Sequence, residues 1–176
     1  MTSLILQSLF LMLPAYVANM TPIFFRKVNF LNYPLDFNMT YNGYPLLGKN
    51  KTFRGLVFGT VFALVMAFVQ HLLSPTSLDP PGINYSHWFW LGLLLGFGAL
   101  FGDALKSFFK RRLGIRAGVR FIPWDQLDYS LGAMLFVSFV YLPPWEIVVT
   151  AVIASFFLHI IVTRLAYWSG VREEKW

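Results

Sequence analysis

Residues 55–73 read GLVFGTVFALVMAFVQHLL, nineteen positions in a row without an Asp, Glu, Lys or Arg. A helix needs about 20 largely apolar residues to cross a bilayer. The run is continuously apolar and does not alternate as a barrel strand would, so it reads as a transmembrane helix. Charge stays scarce beyond it. Between Gly55 and Gly102 the only formal charge is Asp79, and between Tyr129 and Thr163 it is Glu146. The whole chain is 57% hydrophobic and 12% charged, against roughly 25% charged for a soluble domain. It lacks the residues for a polar shell, and it is too apolar for intrinsic disorder. With no cysteine, disulfide scaffolds, thiolate zinc sites, iron–sulfur clusters and cysteine catalysis are excluded.

The reading is therefore an all-α polytopic membrane protein, one domain over 1–176 with five spans at about 3–20, 55–73, 87–112, 125–142 and 145–168. Pro75, Pro80, Pro81 and Gly82 mark a short loop after the second span, and Pro143–Pro144 a tight turn before the fifth. The first segment has no basic residue before its apolar run and no convincing cleavage site, which predicts a retained anchor.

Lys and Arg set the expected orientation. Residues 21–54 carry Arg26, Lys27, Lys49, Lys51 and Arg54, and residues 103–128 carry Lys106, Lys110, Arg111, Arg112, Arg116 and Arg120. Arg164, Arg172 and Lys175 follow near the C-terminus, while the loops at 74–86 and 143–145 carry none. Every basic residue falls on one side of a five-span arrangement. That side is expected to be cytoplasmic, with loops 21–54 and 113–124 inside, the N-terminus outside and the C-terminus cytoplasmic. The triplet Asn38-Met39-Thr40 would then be an accidental glycosylation match. The long 21–54 loop is rich in Tyr and Phe, which argues against disorder and for a functional segment.

Two spans are short. The apolar run from Trp88 to Phe101 covers about 21 Å at 1.5 Å per residue, against a hydrocarbon core of about 30 Å. Continuing the helix through GDALKSFFKRR repairs the deficit and carries Asp103 and Lys106 to membrane depth. Including Trp124–Tyr129 repairs the fourth span and brings in Asp125 and Asp128. Ionisable groups at such depth are functional candidates by default. On a helix Asp103, Lys106, Ser107 and Lys110 share one face, as do Asp125 and Asp128. The bland alternative is interfacial ion pairing for the acids, and snorkelling anchors for Arg111, Arg112, Arg116 and Arg120. Chemically, two or three carboxylates can hold a hard divalent cation such as Mg²⁺. Neighbouring Lys and Arg neutralise phosphate oxygens. Phosphoryl or nucleotidyl transfer needs mainly positioning and electrostatics. His71, His87 and His159 show no ligand spacing and are expected to pack or sit at the membrane interface.

The segment Gly102-Asp103-Ala104-Leu105-Lys106-Ser107-Phe108-Phe109-Lys110-Arg111-Arg112, followed by Ile122-Pro123-Trp124-Asp125-Gln126-Leu127-Asp128, resembles the CDP-archaeol synthases. These form the archaeal branch of the integral-membrane CTP:phosphatidate cytidylyltransferases. Pro14-Ala15-Tyr16-Val17-Ala18-Asn19 and Gly48-Lys49-Asn50-Lys51-Thr52-Phe53-Arg54-Gly55 fit the same branch, so the resemblance extends over nearly the whole chain. It departs from the wider superfamily's H-G-G and D-R-x-D pattern, keeping the paired acids but not the His, the glycines or the Arg.

The resemblance implies a magnesium-dependent enzyme that joins CTP to a geranylgeranyl ether-lipid phosphate, giving CDP-archaeol and pyrophosphate. It implies Asp103, Asp125 and Asp128 as metal ligands. Lys106, Ser107, Lys110 and Arg111 would contact phosphates, and Lys49, Asn50, Lys51, Thr52 and Arg54 would grip the nucleotide. The plainer alternative for that last group is a juxtamembrane cluster on anionic lipid. Asn19 would line the site from the cytoplasmic end of the first span. The expected partners are CTP, the isoprenoid ether-lipid phosphate and the bilayer, with no nucleic acid. A second, monovalent ion and a homodimer stay open. The lipid phosphate is expected to enter through a lateral opening lined by some of the 19 Phe. The competing classes are a small cation transporter or channel using the buried acids, and a cytidylyltransferase for another lipid phosphate. No paired repeat or broken-helix pattern supports a transporter.

Overall fold

Among the residues described by the computed structural model, 2–116 and 119–168, the long apolar runs form five α-helices. These are α1 Thr2–Phe24, α2 Phe53–Leu73, α3 Trp88–Arg112, α4 Trp124–Val137 and α5 Trp145–Trp168. Four of them, α1, α2, α3 and α5, are long and apolar enough to cross a membrane. The protein is thus a polytopic, almost entirely helical membrane protein. Arg172 and Lys175, which the charge pattern assigns to the inside, lie outside the described residues.

Glycine decides how the helices meet. Gly92 and Gly96 of α3 lie against Ala67 and Ala63 of α2, where a methyl group on either glycine would collide with the alanine. On the other side of α3, Gly98 and Gly102 face Gly132 of α4 so closely that a Cβ on any of the three would strike backbone. Small residues at four-residue spacing let backbones approach where no hydrophobic force between helices exists in lipid. α3 is consequently the central helix, packed on both α2 and α4. The main core, among α1, α3, α4 and α5, holds Leu11, Met12, Leu91, Leu95, Ala133, Val137 and Ile147, all buried. Buried polar groups cross-link the bundle: Tyr16 and Ser155 join α1 to α5 through their hydroxyls at 2.8 Å, and the Tyr129 hydroxyl of α4 donates to the Ser155 carbonyl at 2.9 Å. Outward faces are apolar, as in Val57, Val61, Val65, Phe68 and Leu72 on α2 and Val149, Ile153, Phe157, Ile161 and Leu165 on α5. In a bilayer these stripes meet lipid chains.

Two details differ from the sequence expectations. The fourth segment was expected to reach residue 142, but α4 stops at Val137 after 14 residues. Phe139 and Val140 donate to carbonyls three residues back, a tightened end before Pro143 and Pro144, which cannot continue a helix. The chain is also not purely helical. Thr40–Tyr41 (β1) pairs antiparallel with Tyr44–Pro45 (β2), joined by Asn42 and Gly43, both at positive φ. Asn-Gly is the favoured pair for such a two-residue hairpin.

The 25–52 segment is ordered by Asp36. Its buried carboxylate accepts backbone N–H bonds from Leu47 (2.8 Å), Gly48 (3.0 Å) and Asn38 (3.1 Å). Burial pushes this carboxyl up, yet the N–H donors outweigh it and hold it below the usual carboxylate range. Arg112 ties the hairpin to the end of α3, donating to the carbonyls of Tyr41, Tyr44 and Pro45 at 2.8–3.3 Å and lying over the Tyr41 ring.

Candidate active site

α3 continues unbroken from the apolar run through Asp103 to Arg112. The Gly102–Gly132 crossing brings the first turns of α4 against that segment, so Asp125 and Asp128 face Asp103 and Lys106. The Lys106 ammonium lies 2.8 Å from Asp125 Oδ1, 2.9 Å from Asp128 Oδ2 and 3.3 Å from Asp103 Oδ1. Lys51 reaches in from the 25–52 segment to pair with Asp103, and Lys110 sits 3.3 Å from Asp125. The Phe121 N–H fixes Asp125 further, donating to Oδ2 at 2.6 Å. Three acids and three ammoniums thus form one half-buried cluster on three chain segments. Asp128 is its deepest member, with its side chain 4% exposed.

The cluster lies in the wall of a cavity of about 910 Å³. Asn19 enters from α1, and Lys49, Asn50, Lys51, Thr52 and Arg54 from the segment before α2 and its first turn. Asp103, Lys106, Ser107, Lys110 and Arg111 come from α3, and Asp125 and Asp128 from α4. Each candidate residue from the sequence therefore borders the same space. Asn19 is reached because α1 extends to Phe24, past the expected end at 20. Arg111 is buried; it donates to the Ile115 carbonyl at 2.6 Å and packs beside Gly48. Arg112 serves the hairpin instead, and it is not among the residues lining the cavity.

Spacing could not reveal several other lining residues. Arg26 and Arg120 add two cations, Gln126 presents an amide, and α5 contributes His159 and Thr163. Among the described residues, the Gln126 Oε1 and Arg54 Nε are buried without a hydrogen-bond partner, so two residues of the cavity wall hold an unmatched acceptor and an unmatched donor. His159, expected to pack or to sit at the membrane interface, stands beside the Tyr129 ring in this wall. The signal for Gln126 lay in the D-Q-L-D run itself. His159 and Thr163 lie in an apolar span with nothing in the sequence to mark them.

A second hollow, of about 430 Å³, opens beside the first. Its walls are almost wholly apolar, formed by Phe97, Phe101, Leu105 and Phe108 of α3 with Leu35, Leu47 and Leu56. Leu35, Leu47, Leu56, Leu100 and Ala104 border both spaces, so the apolar groove adjoins the charged cavity. Phe101 and Leu105 are exposed on its outer side, where lipid would lie.

Among the described residues, no group of three or more His, Asp or Glu is arranged as it stands to hold a metal ion. The place where the three carboxylates meet is taken by the Lys106 ammonium. The donor set nevertheless suits a hard divalent cation, being all carboxylate oxygen, and the ammonium already stands there as a cation.

A family model described as CarS-like, CDP-archaeol synthase, matches residues 1–176. The chain belongs to the CDP-archaeol synthase family. Curated CDP-archaeol synthases from Archaeoglobus fulgidus, Methanosarcina barkeri and Methanocaldococcus jannaschii are 36%, 35% and 33% identical. The matches cover 100%, 94% and 98% of this chain and 100%, 100% and 98% of those proteins. A solved structure presented as an intramembrane enzyme for archaeal membrane lipids biosynthesis superposes with a TM-score of 0.74 at 33% identity, over 90% of this chain and 93% of that one. Membership of the CDP-archaeol synthase family makes this chain a membrane enzyme and removes the transporter and channel alternatives.

Proposed function

We propose that the chain transfers CMP from CTP to an isoprenoid ether-lipid phosphate, giving CDP-archaeol and pyrophosphate. The observation that carries the reading is the junction of the two spaces: a cavity of carboxylates and cations sharing a wall with an apolar groove. A nucleotide triphosphate suits the cavity, and an isoprenoid chain suits the groove. At Leu100 and Ala104, where they meet, a lipid phosphate would lie next to Asp103 and Lys106.

A phosphate oxygen of the lipid attacks the α-phosphorus of CTP, the bond to the β-phosphate breaks, and pyrophosphate leaves with the electron pair. The nucleophile is already an anion, so no strong base is required. Lys106, Lys110 and Lys51 neutralise phosphate oxygens as charge shifts towards pyrophosphate. Arg54, Arg111 and Lys49 hold the outer phosphates, and Ser107, Asn50, Thr52 and Asn19 supply neutral polar contacts. Asp103, Asp125 and Asp128 would hold Mg²⁺, which when bound stabilises charge on the α-phosphate and the leaving group.

The arrangement in the bilayer completes the proposal. Five helices alternate in direction, with α4 as a short fourth span of about 21 Å. The basic residues of the cavity cluster at one end of the bundle, which supports a cytoplasmic active site and an outside N-terminus. The test is to incubate purified protein with labelled CTP, Mg²⁺ and a geranylgeranyl ether-lipid phosphate and to follow CDP-lipid. Absence of product with every lipid phosphate tried refutes the reading.

A further inference from the structure

The carboxylates assigned to a divalent cation already share a partner. Lys106 touches all three, Lys51 covers Asp103 from one side, and Lys110 covers Asp125 from another. Three negative charges are matched by three positive ones. Arg26, Lys49, Arg54, Arg111 and Arg120 line the same cavity, so the surplus there is positive. A divalent cation arriving alone meets acids that are already satisfied and repulsion from the remaining cations. A polyphosphate meets the reverse. It attracts the ammoniums: drawing off Lys106 frees Asp128 outright and leaves Asp103 and Asp125 with one ammonium each, Lys51 and Lys110.

We propose that Lys106 is a placeholder for the divalent cation: its ammonium holds Asp103, Asp125 and Asp128 together until nucleotide phosphates draw it off, so the metal site forms only with the nucleotide. The inference rests on the cytidylyltransferase reading for the identity of the polyphosphate, and it adds an order of assembly to that reading. The exchange keeps charges paired throughout, ammonium to phosphate and carboxylate to metal. The flexible four-carbon stem of lysine permits such a swing, whereas a planar guanidinium fixed by two bonds would resist it. Because linkage is reciprocal, metal must strengthen nucleotide binding by the same factor as nucleotide strengthens metal binding. A permanent structural ion pair makes the opposite forecast, since removing the lysine would then weaken the cluster and gain no affinity for cations.

The experiment titrates the full-length protein in detergent with Mn²⁺ alone, an ion suited to oxygen ligands, and counts bound ion by electron paramagnetic resonance. Replacing the ammonium in Lys106→Met or Lys106→Gln is expected to raise Mn²⁺ affinity by roughly tenfold or more, since a like charge is removed from contact distance. Adding Asp128→Asn to either variant is expected to abolish the gain. Affinity unchanged or lowered in both variants overturns the proposal. If neither variant folds, wild type decides: its nucleotide-free form is expected to bind Mn²⁺ only weakly, and CTP is expected to bind roughly tenfold or more tightly with Mn²⁺ than with EDTA. Stoichiometric Mn²⁺ binding by nucleotide-free wild type at micromolar ion overturns the proposal as well. CDP-lipid formation by wild type is measured separately, so failure of the placeholder and failure of the enzyme reading give different results.

Discussion

Gly102 of α3 and the backbone carbonyl of Asp128 in α4 are in such close contact that no side chain fits between them. This places a metal-ligand candidate directly across from Asp103 and Lys106. Gly102→Ala must push α4 outward or strain both helices, at a cost of about 1–3 kcal/mol for overpacking. The expected outcome is a lower melting temperature in detergent together with reduced CDP-lipid formation. An unchanged melting temperature and unchanged turnover would show that the crossing does not set the site.

Asp128→Asn keeps the shape of the side chain and removes its charge. Lys106 retains Asp103 and Asp125 as partners, so the bundle is expected to fold and purify normally. CDP-lipid formation is expected to fall by roughly a hundredfold or more, the scale of losing one electrostatic element in a preorganised site. Turnover and Mg²⁺ dependence like those of wild type would remove Asp128 from the chemistry.

Asp36 is expected to act on the nucleotide through the segment that carries Lys49 to Arg54. Its folded-state carboxyl titrates below its unfolded value, so its stabilising effect is complete above the ordinary carboxylate range and is lost as pH falls through the lower, folded value. Limited proteolysis of the 25–52 segment should therefore stay slow from neutral pH down to about pH 5 and accelerate only in stronger acid. Asp36→Asn should be cleaved faster than wild type from neutral pH down to about pH 5, with no acid transition of its own, and the two should converge in stronger acid. It should also raise the KM for CTP more than it lowers kcat.

Ala104 lies on the wall common to the apolar groove and the charged cavity. Ala104→Phe is expected to obstruct the passage between them. The KM for the lipid phosphate should rise by roughly tenfold, the scale of about 1.4 kcal/mol, while CTP binding stays near wild type. An equal effect on both substrates would argue against a lipid path through the groove.

Helices and charge sidedness were legible in the sequence because lipid leaves few choices. A chain this apolar must close its backbone hydrogen bonds internally, and basic residues gather at one end. The candidate residues around Asp103 and Asp128 stood out because ionisable groups at that depth are costly. The spacing of Asp103 and Lys106 allowed their pairing within α3, but the pairing between helices was not legible. Lys106 reaches Asp125 and Asp128 because Gly98, Gly102 and Gly132 draw two backbones together, and a one-dimensional pattern does not say which helix opposes which. The role of Asp36 escaped for a similar reason, since two of its three backbone donors lie eleven and twelve residues further along the chain. The Asn42-Gly43 hairpin did leave a local sign, one that the neighbouring apolar runs overshadowed. Arg26, Arg120, His159 and Thr163 reach the cavity through tertiary packing alone.

The central claim is nucleotidyl transfer at the junction of cavity and groove, and CTP labelled at a single phosphate tests it most directly. With the geranylgeranyl ether-lipid phosphate, Mg²⁺ and purified protein, label at the α-phosphate should pass into the lipid product. Label at the γ-phosphate should appear only in pyrophosphate. Label from the γ-phosphate in the lipid, or no transfer from either position, would contradict the account.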